Sequence, residues 1–201
     1  MKQALIIDCC IRREQSRTRR ILDAFQSGLD PDVYQQSSLC LMDQDLRPLA
    51  KDWFDQRQQL LEQNDLQHPR FSRAHQFARA DLIVIAAPFY DLSFPALLKI
   101  YVENVSVDGI TFQASADGIR GLCRAEKMVY LTSRGGIVPA GSAQEQATPY
   151  LRALCTFFGI GGLECIGADG MDIAGYDAEH SLKSACEQAA GLAAGLSRAG
   201  R

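Results

Sequence analysis

Residues 81–95 read DLIVIAAPFYDLSFP, and this stretch decides the fold. DLIVIAA (81–87) is a continuous apolar run, the pattern of a parallel strand covered on both faces. The chain then turns through PFYDLS. Ser93 and Pro95 stand where a helix N-cap and a first-turn proline belong. Apolar residues at 94, 97, 98, 101, 102 and 105 follow a period of 3.6, so a helix is expected to pack back on the strand.

The same unit repeats outward. Toward the N-terminus, QALIID (3–8) reads as a buried strand. A helix follows from Thr18 to Leu29, with apolar positions 21, 22, 25 and 29 on one face and Gly28 near its end. DVYQQSSLCL (32–41) is a weaker strand. Residues 43–80 are polar and rich in Gln and Arg, and read as one or two surface helices broken at Pro69. Toward the C-terminus, KMVYLT (127–132) is a strand. A Gly-rich loop leads to a helix entered at Thr148-Pro149 and left at Gly159. Residues 160–167 make a fifth strand, and an Ala-rich helix closes the chain over about 177–198. Its AAGLAAGL segment reads as a close-packed face.

Five strands alternating with helices predict an α/β fold, a doubly wound five-stranded parallel sheet with helices on both faces and right-handed crossovers. The 201 residues are expected to form one domain, 1–201. Lys plus Arg number 21 and Asp plus Glu 24, a formal net charge of -3, which argues against a dedicated nucleic-acid binder. No apolar run approaches the roughly 20 residues that span a bilayer, and the first residues lack a signal-peptide pattern. The 7 cysteines include no CxxC and mostly sit in apolar segments, which reads as reduced thiols of a cytoplasmic protein. His68, His75 and His180 are scattered without carboxylates or cysteines at ligand spacing, so no metal site is expected.

Doubly wound sheets bind ligands beyond the carboxyl ends of their strands, at the topological switch point. Three loops fall there. CCIRREQSRT (9–18) places Ser16 and Thr18 at a helix start, where unpaired N–H groups and the helix dipole suit a phosphate. It carries neither a Walker pattern nor GxGxxG. Arginines at 12, 13, 17, 19 and 20 are mildly unfavourable there unless an anion binds. A capped helix with a solvated basic face is the plainer alternative. In AAPFYDLSFP (86–95), Phe89 and Tyr90 either wall a flat ligand or plug the top of the core. In TSRGGIVPAGS (132–142), Gly135-Gly136 permits close backbone approach and Ser133 and Arg134 offer donors, or the segment is a generous turn. The coincidence of all three on one sheet edge is the stronger signal.

Taken together, AAPFYDLSFPALLKIYVENVSVDGITF, TSRGGIVPAG and ATPYLRALCTFFGI resemble the FMN-dependent NADH-azoreductase and NADH:quinone oxidoreductase family of flavodoxin-like fold. The resemblance covers nearly the whole chain and is weakest over 43–75. It implies that Ser16, Arg17 and Thr18 hold the FMN phosphate, with Cys10 where the family usually has Ser. It implies that Phe89, Tyr90, Asp91 and Leu92 line the isoalloxazine, and that Ser133, Arg134, Gly135 and Gly136 hold its pyrimidine edge. Phe112 and Phe157 fall where the family places aromatics near the substrate cleft, which lies at a homodimer interface. The implied activity is electron transfer from NADH or NADPH through FMN to a quinone or azo acceptor, by a ping-pong scheme with no strong acid or base among the side chains. Cys10 is a poorer donor than Ser and implies weaker FMN binding. Asp91 stands where Asn is usual. It either lowers the flavin potential through its carboxylate or is silent if only its backbone touches the flavin.

Two other readings compete. An FMN electron carrier would share the fold without turning over NADH. A low-molecular-weight phosphatase would use a Cys after the first strand, activated by nearby cations. Here, however, six residues separate Cys10 from Arg17 where that motif has five. Trp53, in the variable segment, is expected either to pack that excursion onto the body or a partner subunit, or simply to serve helix packing.

Overall fold

The computed structural model describes residues 1–139 and 141–200. Ala140 of the third loop and Arg201 lie outside the described residues. The main sheet is parallel and contains β1 (Lys2–Asp8), β2 (Tyr34–Cys40), β3 (Leu82–Ala86), β6 (Lys127–Ser133) and β7 (Leu163–Ala168), in the order β2-β1-β3-β6-β7. The chain thus leaves β1 in one direction for β2 and returns past it to β3. The switch point lies between β1 and β3.

Alternation along the strands sends side chains into two cores. One is built on Leu5, Ile7, Ile83, Ile85, Met128 and Tyr130 and is covered by α3 (Ser72–Arg79), α4 (Ala96–Val105) and α5 (Ala147–Phe158). Phe77 stands edge-on to Phe158 there, at 5.2 Å between ring centroids. The other is built on Ala4, Ile6, Val84, Val129 and Leu131 and is covered by α1 (Arg17–Gly28) and α6 (Ala178–Ala199). The small-residue face of α6 does pack closely. A Cβ on Gly28 of α1 would lie 2.6 Å from the Ala190 carbonyl oxygen and 3.1 Å from the Ala193 Cβ.

The 43–80 segment holds α2 (Lys51–Glu62) and α3, with a one-turn 3-10 helix at Pro69–Phe71 between them. Trp53 of α2 is flanked by the guanidinium of Arg70, 3.6 Å from its ring centroid. The sequence shows no sign of one element, an antiparallel hairpin of β4 (Phe112–Ser115) and β5 (Gly118–Gly121) between α4 and β6. Its Gly121 abuts the end of α5, where Gly159 is left-handed as a C-terminal glycine should be. Ser93 is not the N-cap of α4. The residue before the helix is Pro95, and Ser93 instead closes a tight turn with Tyr90. The fifth strand begins at Leu163 rather than 160, because Gly161 and Gly162 bond to Ala125 and Met128 across the entry. Among the described residues, no helix is long and apolar enough to cross a membrane.

Candidate active site

The first loop leaves β1 at Asp8, whose carboxylate is buried. Its Oδ1 accepts the Cys10 N–H at 2.8 Å and its Oδ2 the Arg19 guanidinium at 2.7 Å. This pair folds the chain back so that α1 starts over the sheet edge. Ser16 is the N-cap, accepting the Arg19 N–H at 3.3 Å. The first turn of α1 carries the N–H groups that a helix cannot pair internally.

The second loop is fixed by its own geometry. The Tyr90 and Ser93 main chains bond to each other in both directions, at 3.0 and 2.8 Å. Between them Asp91 (φ 48°) and Leu92 (φ 68°) are both left-handed, the pattern of a type I′ turn. Such backbone suits Asn, Asp or Gly and costs a branched Leu about 1–2 kcal/mol. The Leu92 carbonyl then accepts the Gln146 N–H at 2.9 Å, tying the turn to the start of α5.

The third loop joins both neighbours. Ser133 accepts the Phe89 N–H on its carbonyl at 3.1 Å, and its hydroxyl shares a hydrogen with Thr18 at 2.8 Å. Gly135 and Arg134 accept the Asp172 and Met171 N–H groups at 2.9 and 3.0 Å. This zips the loop to a fourth one, after β7. Arg134 is 7% exposed, bonds Asp169 through Nη1 at 3.0 Å and lies 5.8 Å from the Phe89 ring centroid. Its Nε is buried with no partner in the protein.

These loops enclose one cleft at the switch point. Of the residues singled out in the sequence, Ser16, Arg17, Phe89, Tyr90, Ser133, Arg134 and Gly135 line it. Arg12, Gln15, Pro88, Met171 and Asp172 also line it. The position of GADGMD (167–172) after the fifth strand was the signal for the last two. Thr18 is fully buried and hydrogen-bonded to Ser133; Asp91, Leu92 and Gly136 are not among the lining residues. Phe112 and Phe157 are not on the cleft. They stack on each other at 4.5 Å, joining the hairpin to α5.

Cys10 is not on the cleft either. Its amide is taken by Asp8 and its Sγ sits 3.8 Å from the Ala86 carbonyl oxygen. Burial, reinforced by the Asp8 charge, raises its thiol pKa, and the same two causes push Cys9 up to about 12. Neither is a thiolate near neutrality, so the structure removes the phosphatase-like nucleophile.

The basic cluster also resolves. Arg13 pairs with Asp43, Arg17 with Asp172, Arg19 with Asp8 and Asp23, and Arg20 with Glu179. The first loop thus brings donors to the cleft and the second brings aromatic faces, with Tyr90 40% exposed. A phosphate beside a flat heteroaromatic system matches that combination. The unpartnered Nε of Arg134 offers a further donor to its polar edge. The donor set fits FMN.

A family model described as flavodoxin-like fold matches residues 2–192. FMN-dependent NADH:quinone oxidoreductase of Clostridium perfringens is 35% identical over 204 residues, covering 96% of this chain and 98% of that protein. The chain belongs to this family of flavodoxin-like oxidoreductases. Its relative of the same description in Clostridium beijerinckii is 35% identical over 195 residues, covering 94% of this chain and 96% of that one. Among solved structures, the FMN-dependent NADH-azoreductase from Bacillus anthracis str. Ames Ancestor in complex with FMN superposes with a TM-score of 0.83 at 20% identity, over 98% of this chain and 100% of that one. At that identity the match speaks for the fold.

Proposed function

We propose that this oxidoreductase binds FMN in the cleft and passes two electrons from NADH or NADPH to quinone or azo acceptors. One observation carries the reading: the loops after β1, β3 and β6 converge at the switch point on a cleft lined by both polar donors and aromatic residues. FMN supplies the redox chemistry, and the protein supplies binding, orientation and a shaped surface. Ser16 and the first turn of α1 bind the phosphate. Phe89 and Tyr90 wall the isoalloxazine, and the Ser133–Gly136 loop holds its pyrimidine edge. Donor and acceptor take turns over the same face, which is a ping-pong scheme. In this reading the protein works in the cytoplasm as a homodimer, and Phe112 and Phe157 approach the acceptor from the subunit interface.

The test is the visible spectrum after FMN is added and excess removed, followed by NADH without oxygen. A retained flavin band that bleaches, with parallel double-reciprocal plots for a quinone, is the expected result. A retained band that NADH leaves unchanged would make the chain an electron carrier. No retained flavin would overturn the assignment.

A further inference from the structure

Of the five arginines at 12, 13, 17, 19 and 20, four are held by carboxylates within 2.6–2.8 Å. Arg12 is the exception. Among the described residues its exposed guanidinium has no hydrogen bond or ion pair, and it lines the cleft beside Gln15 and Ser16. The cleft's other cations are spoken for: Arg17 by Asp172 and Arg134 by Asp169. Among the described residues the cleft lining thus carries one uncompensated positive charge. The donors beside it, the Ser16 hydroxyl and the α1 amides, are neutral. Neutral donors hold a phosphate by hydrogen bonds, but they do not cancel the nearly two negative charges of a phosphomonoester. A free guanidinium offsets part of that charge, with a planar fork matched to phosphate oxygens.

We propose that Arg12 is the phosphate-selecting residue of the cleft, reading a phosphomonoester. This rests on the flavoenzyme reading above. Two phosphomonoesters can reach the cleft in that reading, the 5′-phosphate of FMN and the 2′-phosphate of NADPH. The neighbouring Ser16 and α1 terminus place the FMN phosphate within the same donor cluster. An Arg12 charge turned to the cleft mouth would instead meet the donor nucleotide.

Apoprotein is titrated with FMN and with riboflavin by flavin fluorescence, at low and at high salt, for wild type, Arg12→Gln and Arg12→Lys. Arg13→Gln, which removes a paired arginine of the same loop, is the control. The FMN-loaded proteins are then compared for KM with NADPH and NADH. Loss of a charge-assisted bond to phosphate corresponds to roughly tenfold or more in affinity. If FMN is the source, Arg12→Gln weakens FMN by that factor, leaves riboflavin unchanged and flattens the salt dependence, while Arg12→Lys restores part of it. If NADPH is the source, FMN binding is unchanged and only KM for NADPH rises. Arg12→Gln that matches Arg13→Gln in both preferences overturns the proposal. Wild-type protein that binds neither flavin overturns the flavoenzyme reading itself, and so is a distinct failure.

Discussion

Replacing Asp8 by Ala tests whether the first loop is held from beneath. The Asp8 side chain is 6% exposed and serves two donors, the Cys10 amide and the Arg19 guanidinium. Cys10 is fully buried, so its N–H would find no water in the variant. An unsatisfied buried donor costs about 1–3 kcal/mol. Arg19 fares better. Its side chain is 32% exposed and keeps Asp23 at 2.8 Å, so the lost ion pair adds only about 1 kcal/mol. The sum is about 3 kcal/mol. For a domain of this size each kcal/mol moves the melting temperature by about 2–4 °C, so Asp8→Ala should melt about 6–12 °C lower. Asp8→Asn keeps an oxygen for the Cys10 amide and should lose only about 1 kcal/mol. Urea denaturation followed by circular dichroism measures both, with midpoints compared at unchanged slope. The reasoning fails if Asp8→Ala stays within 0.5 kcal/mol of wild type (~1 °C), or if Asp8→Asn is as damaging as Asp8→Ala, since the amide would then not be what matters.

Three further outcomes are expected. Gly121→Ala would put a Cβ 2.0 Å from the Gly159 nitrogen and the Phe158 carbonyl carbon, and should destabilise by about 3 kcal/mol in the same assay. A Cβ on Gly136 meets nothing within 4 Å, so Gly136→Ala should melt like wild type yet bind FMN more weakly by fluorescence titration, if that loop holds the flavin edge. The alkaline limb of stability should be steep. Folded Cys9 keeps its proton up to about pH 12 and Cys10 is raised in the same direction, whereas the unfolded thiols release theirs near 9. The unfolded state therefore binds fewer protons in that window, and stability falls as pH rises above 9, by about 1.4 kcal/mol per unit for each thiol. Urea midpoints at pH 8 and pH 10 would show it, and a flat response would contradict it.

The sheet was legible because β1, β3 and β6 are buried on both faces and so are written as unbroken apolar runs, ALII, LIVIA and MVYL. The helices on either side carry a single apolar face and were equally plain. The hairpin at 112–121 was not, since its strands are four residues each, largely exposed and without alternation. Ser93 misled because an N-cap and a turn residue use the same short polar side chains; Leu92, a poor candidate for a left-handed position, gave no warning beside Asp91. The cleft loops could be found by their place after apolar strands. The electrostatics could not. Asp43, Asp172 and Glu179 are separated by 30, 155 and 159 residues from the arginines they neutralise, and only Arg19–Asp23 has a local spacing. Cys10 looked activated by sequence neighbours that the fold turns away from it.

The left-handed pair at Asp91 and Leu92 has a consequence for how the cleft receives a ligand. The turn is locked by reciprocal main-chain bonds and by Gln146, so Tyr90 is presented on a rigid hairpin tip rather than a floppy flap. The ordering entropy of that wall is settled when the chain folds, and little of it remains to be lost at association. Such a wall neither clamps down on its guest nor has to swing open for it. In the proposed scheme, exchange of one planar molecule for another over the same surface then becomes a matter of diffusion past a fixed edge.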